Sequence, residues 1–138
     1  MRNWVFGAFA LATLGGCAPQ AAAPLEGEAL VARGDYLVNG VVLCGDCHTP
    51  RGPEGEPLTA QALQGADIGA GPPGFASYAP PLAGIPANFT EEQFIAFLQT
   101  GVRPDSSHPR PPMPPYRLNE EDARAVAAYI ATVPRESP

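Results

Sequence analysis

The segment Cys44-Gly45-Asp46-Cys47-His48 constrains this chain more than any other. Two thiols three residues apart, followed directly by an imidazole, have the spacing by which a chain attaches a c-type haem. The thiols would add to the two vinyl groups of one porphyrin, and the imidazole would lie under the iron. Five residues would thus fix three points of a large apolar body, around which the rest of the fold must close. Other chemistries use similar residues. A redox dithiol requires a βαβ pattern around its C-x-x-C, and none is visible. A zinc site needs two further ligands at compact spacing, but the chain has no second cysteine pair and one other histidine, His108. A Cys44–Cys47 disulfide is the simplest alternative.

A length of 138 residues predicts one small domain, and the first stretch reads as separate from it. Arg2 supplies a positive start, and Trp4 to Leu14 is an apolar run of the length found in export signals. The run is too short to span a bilayer, which takes about 20 apolar residues. It ends in Leu14-Gly15-Gly16-Cys17, which resembles a bacterial lipobox. On that reading residues 1–16 are a lipoprotein signal peptide and Cys17 carries the lipid. The alternative is an ordinary secretory signal cut after Ala22 or Ala23. Either predicts an exported protein, and Ala18 after the lipidated cysteine favours the outer membrane, facing the periplasm. The three cysteines are then all assigned: Cys17 to lipid, Cys44 and Cys47 to haem.

Charge narrows the partners. Eight cations, all arginine, face 14 acids, for a formal net charge of −6. Nucleic acid and anionic lipid headgroups both require a basic patch, so neither is expected as a partner. A redox protein with a basic or neutral docking face suits the charge better. With 15 Gly and 18 Pro, the composition borders on that of disordered chains. A buried haem would supply the apolar body that such a chain lacks.

Residues 17–27, rich in Ala and Pro, read as a flexible tether. A helix is expected from near Glu28 into Cys44, with Leu30, Gly34, Leu37, Val38 and Val41 on one face. Gly34 in mid-helix costs about 1 kcal/mol relative to Ala, which suggests close approach of another helix. Thr49 to Asn88 is dense in Pro and Gly, with a short helical possibility at Thr59–Leu63, and is expected to wrap the haem edges. Thr90-Glu91-Glu92-Gln93 forms a capping-box signal. Phe94, Phe97 and Leu98 come next on one face, and Gly101 marks the helix end. A last helix is expected from the cap Asn119, through Val126, Tyr129, Ile130 and Val133, to a stop at Pro134. No period-two pattern appears.

His48 would leave one axial position of the iron open. Met113, within Arg110-Pro111-Pro112-Met113-Pro114-Pro115, is the expected second ligand, held in place by four prolines. Met ligation raises the reduction potential. A core-filling role for Met113 is the alternative, with His108 as the rival ligand in a loop that looks exposed.

Ala32 to Val38 leading into Cys44 to Gly52, the later helix, the Pro-flanked Met113 and the C-terminal helix together resemble class I cytochrome c domains. They are closest to those related to cytochrome subunits of bacterial membrane-bound dehydrogenases. The resemblance implies an all-α fold: three to five short helices around one covalently bound haem, with long Pro/Gly-rich loops. It covers nearly all of residues 30–134, within a domain expected at residues 28–134 with 135–138 as a tail. It implies thioethers at Cys44 and Cys47, axial iron ligands at His48 and Met113, and a first helix crossing the last with Gly34 or Gly40 facing Tyr129. Arg51 and Arg103 become candidates for the propionates. The expected function is one-electron transfer between membrane-associated redox partners, not enzymatic catalysis. The alternatives are a haem with an open sixth site acting in ligand sensing or peroxidase chemistry, and a non-carrier subunit of a larger oxidoreductase.

Overall fold

The computed structural model describes residues 23–136. The expected signal peptide, Cys17 and most of the tether lie outside the described residues. In chain order the elements are helix α1 (Gly27–Tyr36), a π-helical turn (Leu37–Val41) and the one-turn helix α2 (Gly45–His48). A 3-10 turn (Thr59–Gln61), the two-residue strands β1 (Ala66–Asp67) and β2 (Tyr78–Ala79), and helices α3 (Glu91–Thr100) and α4 (Glu120–Thr132) complete the chain. The architecture is helical, as the sequence predicts. The antiparallel pair β1–β2, with Ala66 opposite Ala79, is the addition. Strands of two residues are too short to display an alternating pattern.

Helices α1 and α4 cross at Gly34. A Cβ built there would lie 2.0 Å from the carbonyl oxygen of Ala125 and 2.7 Å from Cβ of Tyr129, so only glycine fits. Gly40 does not share this role, since its nearest neighbour is the ring of Tyr36, four residues earlier, at 3.5 Å. The crossing is tied at its edges. Arg33 pairs with Asp122 at 2.8 Å, and Asn39 donates to the Tyr129 hydroxyl at 3.0 Å.

The first helix departs from expectation in its last turns. At Leu37 it widens into a π turn, and it ends before Leu43, whose φ is 57°. A π turn holds an extra residue and so rotates the chain beyond it. Val41, expected on the buried face, is therefore 53% exposed, while Leu37 and Val38 remain buried. The rotation also sets the direction in which Cys44 enters α2.

Helix α3 starts with a complete capping box. The Thr90 side chain accepts from the amide of Gln93 at 3.2 Å, and the Gln93 side chain accepts from the Thr90 amide at 2.9 Å. It stops at Gly101, which is left-handed at φ 70°, as a C-terminal glycine should be. Phe94, Phe97 and Leu98 face inward, and Phe89 meets Phe94 edge-on at 5.6 Å. Helix α4 is capped by Asn119, which accepts from the amide of Asp122 at 2.8 Å. Ala123, Ala125, Val126, Ala127 and Ile130 are each 0% exposed. Helix α4 packs against both α1 and α3, and its alanines let both come close. The core is this three-helix contact, and on its open side lies a cavity.

Candidate functional site

The cavity has a volume of about 430 Å³, within the roughly 300–1,000 Å³ of cofactor and ligand sites. Each side comes from a different part of the chain. Cys44, Cys47 and His48 enter with α2; Phe94, Phe97 and Leu98 with α3; Val126 and Ile130 with α4. Tyr78 to Pro80, Leu82 and Pro86 reach in from the long loop, and Pro112 to Pro114 and Tyr116 close it. The Pro/Gly-rich segment does wrap the site, as its composition suggested.

His48 is 6% exposed, and its Nδ1 lies 2.7 Å from the carbonyl oxygen of Pro80. A carbonyl only accepts, so Nδ1 carries the proton and Nε2 keeps its lone pair. Burial pushes the His48 pKa down, against a smaller opposing effect of the Pro80 bond. The imidazole thus stays neutral, which is the ligating form. The buried thiol of Cys44 is pushed up to about 11 by loss of solvent. Cys44 and Cys47 are both free thiols, so no disulfide joins them. Among the described residues no group of three or more His, Cys, Asp or Glu side chains is arranged to hold a metal ion.

Met113 is half-buried, packs against the core and lines the same cavity as His48. Its loop is pinned on both sides. The Ala76 amide donates to the carbonyl of Pro111 at 2.7 Å, and the Leu118 amide to that of Leu98 at 3.1 Å. Tyr116 lines the cavity and donates to the carbonyl of Val42 at 3.1 Å, tying the methionine loop to the end of the first helix. Burial, with smaller contributions from Cys44 and Cys47, pushes that phenol up to about 12. His108 is exposed and outside the cavity lining, and its Nδ1 lies 3.0 Å from the carbonyl of Gly101.

The two propionate candidates part company. Arg51 is exposed, donates to the carbonyls of Gly55 at 2.8 Å and Asp46 at 3.2 Å, and does not line the cavity. Arg103 does line it, with its guanidinium 5.6 Å from the centre of the Phe97 ring. Sequence reasoning missed three contributors. Nothing local marks the Pro80 carbonyl, 32 residues from His48. Tyr116 is the aromatic directly after the prolines around Met113, a signal that could have been used. Arg110 lines the cavity from the start of the same segment.

An apolar cavity with two thiols at one wall, an oriented imidazole beside them and a pinned thioether fits a covalently held haem. Residues 31–134 match the family described as Cytochrome c. The chain is 33% identical over 107 residues to a "Diheme cytochrome c-type" protein of Cereibacter sphaeroides, covering 74% of this chain and 35% of that one. It is 33% identical over 119 residues to the "Alcohol dehydrogenase (quinone), cytochrome c subunit" of Gluconacetobacter polyoxogenes, covering 78% and 25%. It is 31% identical over 113 residues to the "Fructose dehydrogenase cytochrome subunit" of Gluconobacter japonicus, covering 76% and 22%. It therefore spans about a third or less of the length of these relatives. With the match running from the middle of α1 past the end of α4, the chain belongs to the cytochrome c family.

Proposed function

We propose that this chain holds one haem c and passes single electrons between redox partners, with His48 and Met113 as the axial pair. The observation that carries the reading is geometric: Cys44, Cys47, His48 and Met113 all line one apolar cavity. Bound haem c supplies a one-electron ferric/ferrous couple. The chain's residues do the rest. Cys44 and Cys47 fix the cofactor covalently, as the only C-x-x-C-H of this sequence. His48 would hold the iron through Nε2, because its Nδ1–H is donated to the Pro80 carbonyl, and such a hydrogen bond orients a ligating imidazole and raises its basicity. Met113 would supply a second ligand from a loop anchored before and after it. The Phe94, Phe97, Leu98, Val126 and Ile130 side chains exclude water. Leu43 and Tyr78 line the cavity while 46% and 56% exposed, giving an apolar rim where a partner can approach.

The proposed partners and location rest on the sequence. Residues 1–16 read as a lipoprotein signal, and a lipid on Cys17 would hold domain 28–134 at a membrane through the tether 17–27. Confinement raises effective concentration without new contacts. Ala18 favours the outer membrane, facing the periplasm. The dehydrogenase-subunit names of relatives support a dehydrogenase as electron donor. The net charge of −6 favours a basic or neutral docking face.

The test uses the full-length holoprotein. A pyridine haemochrome spectrum should report haem c at one per chain, reducible and reoxidisable in potentiometric titration. Ready binding of carbon monoxide by the reduced protein at neutral pH would overturn the six-coordinate carrier in favour of an open site. For the anchor, Cys17→Ser is expected to move the protein from the detergent phase to the aqueous phase, and unchanged partitioning would refute it.

A further inference from the structure

Building on the haem reading, we infer that Arg135 and Gln64 are positioning residues of the axial ligand His48. They clamp residues 134–136 across the two loop segments that hold His48, 63–65 and 80–85, and so set the hydrogen bond that fixes its donor strength. Arg135 and Glu136, read from the sequence as a tail, line one cleft with Gln64, Pro80 and Pro81.

His48 is held by both segments. Its Nδ1–H is donated to the Pro80 carbonyl at 2.7 Å, and its own carbonyl accepts from the Gly65 amide at 2.8 Å. The segments are joined to each other, since the Leu63 carbonyl accepts from the amides of Leu82 at 2.9 Å and Ala83 at 3.1 Å. Gly65 lets them close: at φ 87°, a Cβ there would lie 2.8 Å from the Pro81 nitrogen and 2.9 Å from the Ala79 oxygen. Residues 80–85 belong to no helix or strand. Leu63, Gly84 and Ile85 are left-handed, at φ 59°, 66° and 60°. For leucine and the β-branched isoleucine that conformation is strained, and it persists only where surrounding contacts enforce it.

Those contacts come from residues 134–136 and the end of α4. Arg135 Nε donates to the Ala83 carbonyl at 2.9 Å and Nη2 to that of Ile85, so one planar guanidinium brackets the left-handed turn. The Gln64 amide bonds at both ends. Its Nε2 donates to the Pro134 carbonyl at 2.7 Å, and its Oε1 accepts from the Glu136 amide at 3.0 Å. The Gly84 amide donates to the Ile130 carbonyl of α4 at 3.0 Å. The clamp thus holds the turn that leads back to Pro80. A firmly held Nδ1–H makes the imidazole a more basic ligand.

The test uses the ferrous holoproteins of wild type, R135Q, R135K, Q64A and R33Q. NMR follows solvent exchange of the His48 Nδ1 proton as a ratio to exchange of the core amides of α4, which removes any change in global stability. Loss of charge-assisted hydrogen bonds should raise that ratio about tenfold in R135Q, and loss of the neutral pair about threefold in Q64A. The reduction potential should rise in both, because a less basic imidazole favours ferrous iron. R135K keeps a cation with three donors and should lie between R135Q and wild type. R33Q, whose contacts are with Asp122 and Tyr36, should lower the melting temperature and leave ratio and potential unchanged. If R135Q yields no holoprotein, Q64A decides alone. Ratios or potentials of R135Q and Q64A that match wild type overturn the clamp, and a normal haemochrome in those proteins leaves the carrier reading intact. Absence of haem c from the wild-type protein overturns the carrier reading and the clamp with it.

Discussion

Replacing Met113 with alanine is expected to lower the reduction potential by on the order of 0.2 V, within the ~0.8 V that axial ligands control. The covalent haem should remain, because Cys44, Cys47 and His48 are untouched. A thioether favours ferrous over ferric iron, and its loss favours the oxidised state. The red ferric absorption band that accompanies Met ligation in this family should vanish, and the reduced protein should bind carbon monoxide. Met113 is only half-buried, so the stability loss should lie near or below the lower end of the ~2–5 kcal/mol seen for core Met→Ala. His108→Ala is the matched control. His108 is exposed, lies outside the cavity and faces the Gly101 carbonyl, so its removal should leave potential and spectrum unchanged. If His108→Ala produced these changes and Met113→Ala did not, the axial assignment would be wrong.

The contrast between those two residues shows what a sequence can carry. Signals that act through neighbouring residues were legible: the C-x-x-C-H spacing, the Thr90–Gln93 capping box, the Gly101 stop and the Asn119 cap. Each is decided by the backbone within one helical turn. The axial candidate Met113 stood out because prolines enclose it. Features that depend on distant chain segments did not show. The π turn at Leu37–Val41 packs against α4 and leaves Val41, expected on the buried face, in solvent. The Pro80 carbonyl that orients His48 arrives from 32 residues away. Arg51 and Arg103 look equivalent in sequence and differ only in which one the loops turn toward the cavity.

Gly34→Ala is expected to be among the most damaging single substitutions outside the cavity lining. In an isolated helix alanine would gain about 1 kcal/mol over glycine. Here the added methyl would sit 2.0 Å from the Ala125 oxygen and 2.7 Å from the Ala125 carbonyl carbon. These are backbone atoms of α4 and cannot swing away as a side-chain tip can. Overpacking costs about 1–3 kcal/mol, occasionally more, and contact with backbone belongs at the upper end. Relief requires α1 and α4 to separate, which also strains the Arg33–Asp122 pair and the Asn39–Tyr129 bond. It moves the cavity wall as well, since Val126 and Ile130 of α4 line the cavity and the π turn of the first helix leads into Cys44. At about 4 °C per kcal/mol for a domain of this size, the melting temperature should fall by about 10 °C or more, and holoprotein yield should fall with it. Gly40→Ala separates this contact from a general glycine effect. Its Cβ would meet the Tyr36 ring at 3.5 Å, an ordinary contact, so stability should change by less than about 1 kcal/mol. Thermal unfolding of the two holoproteins distinguishes the cases: equal shifts, or a Gly34→Ala protein as stable as wild type, would show that the helices do not cross at Gly34.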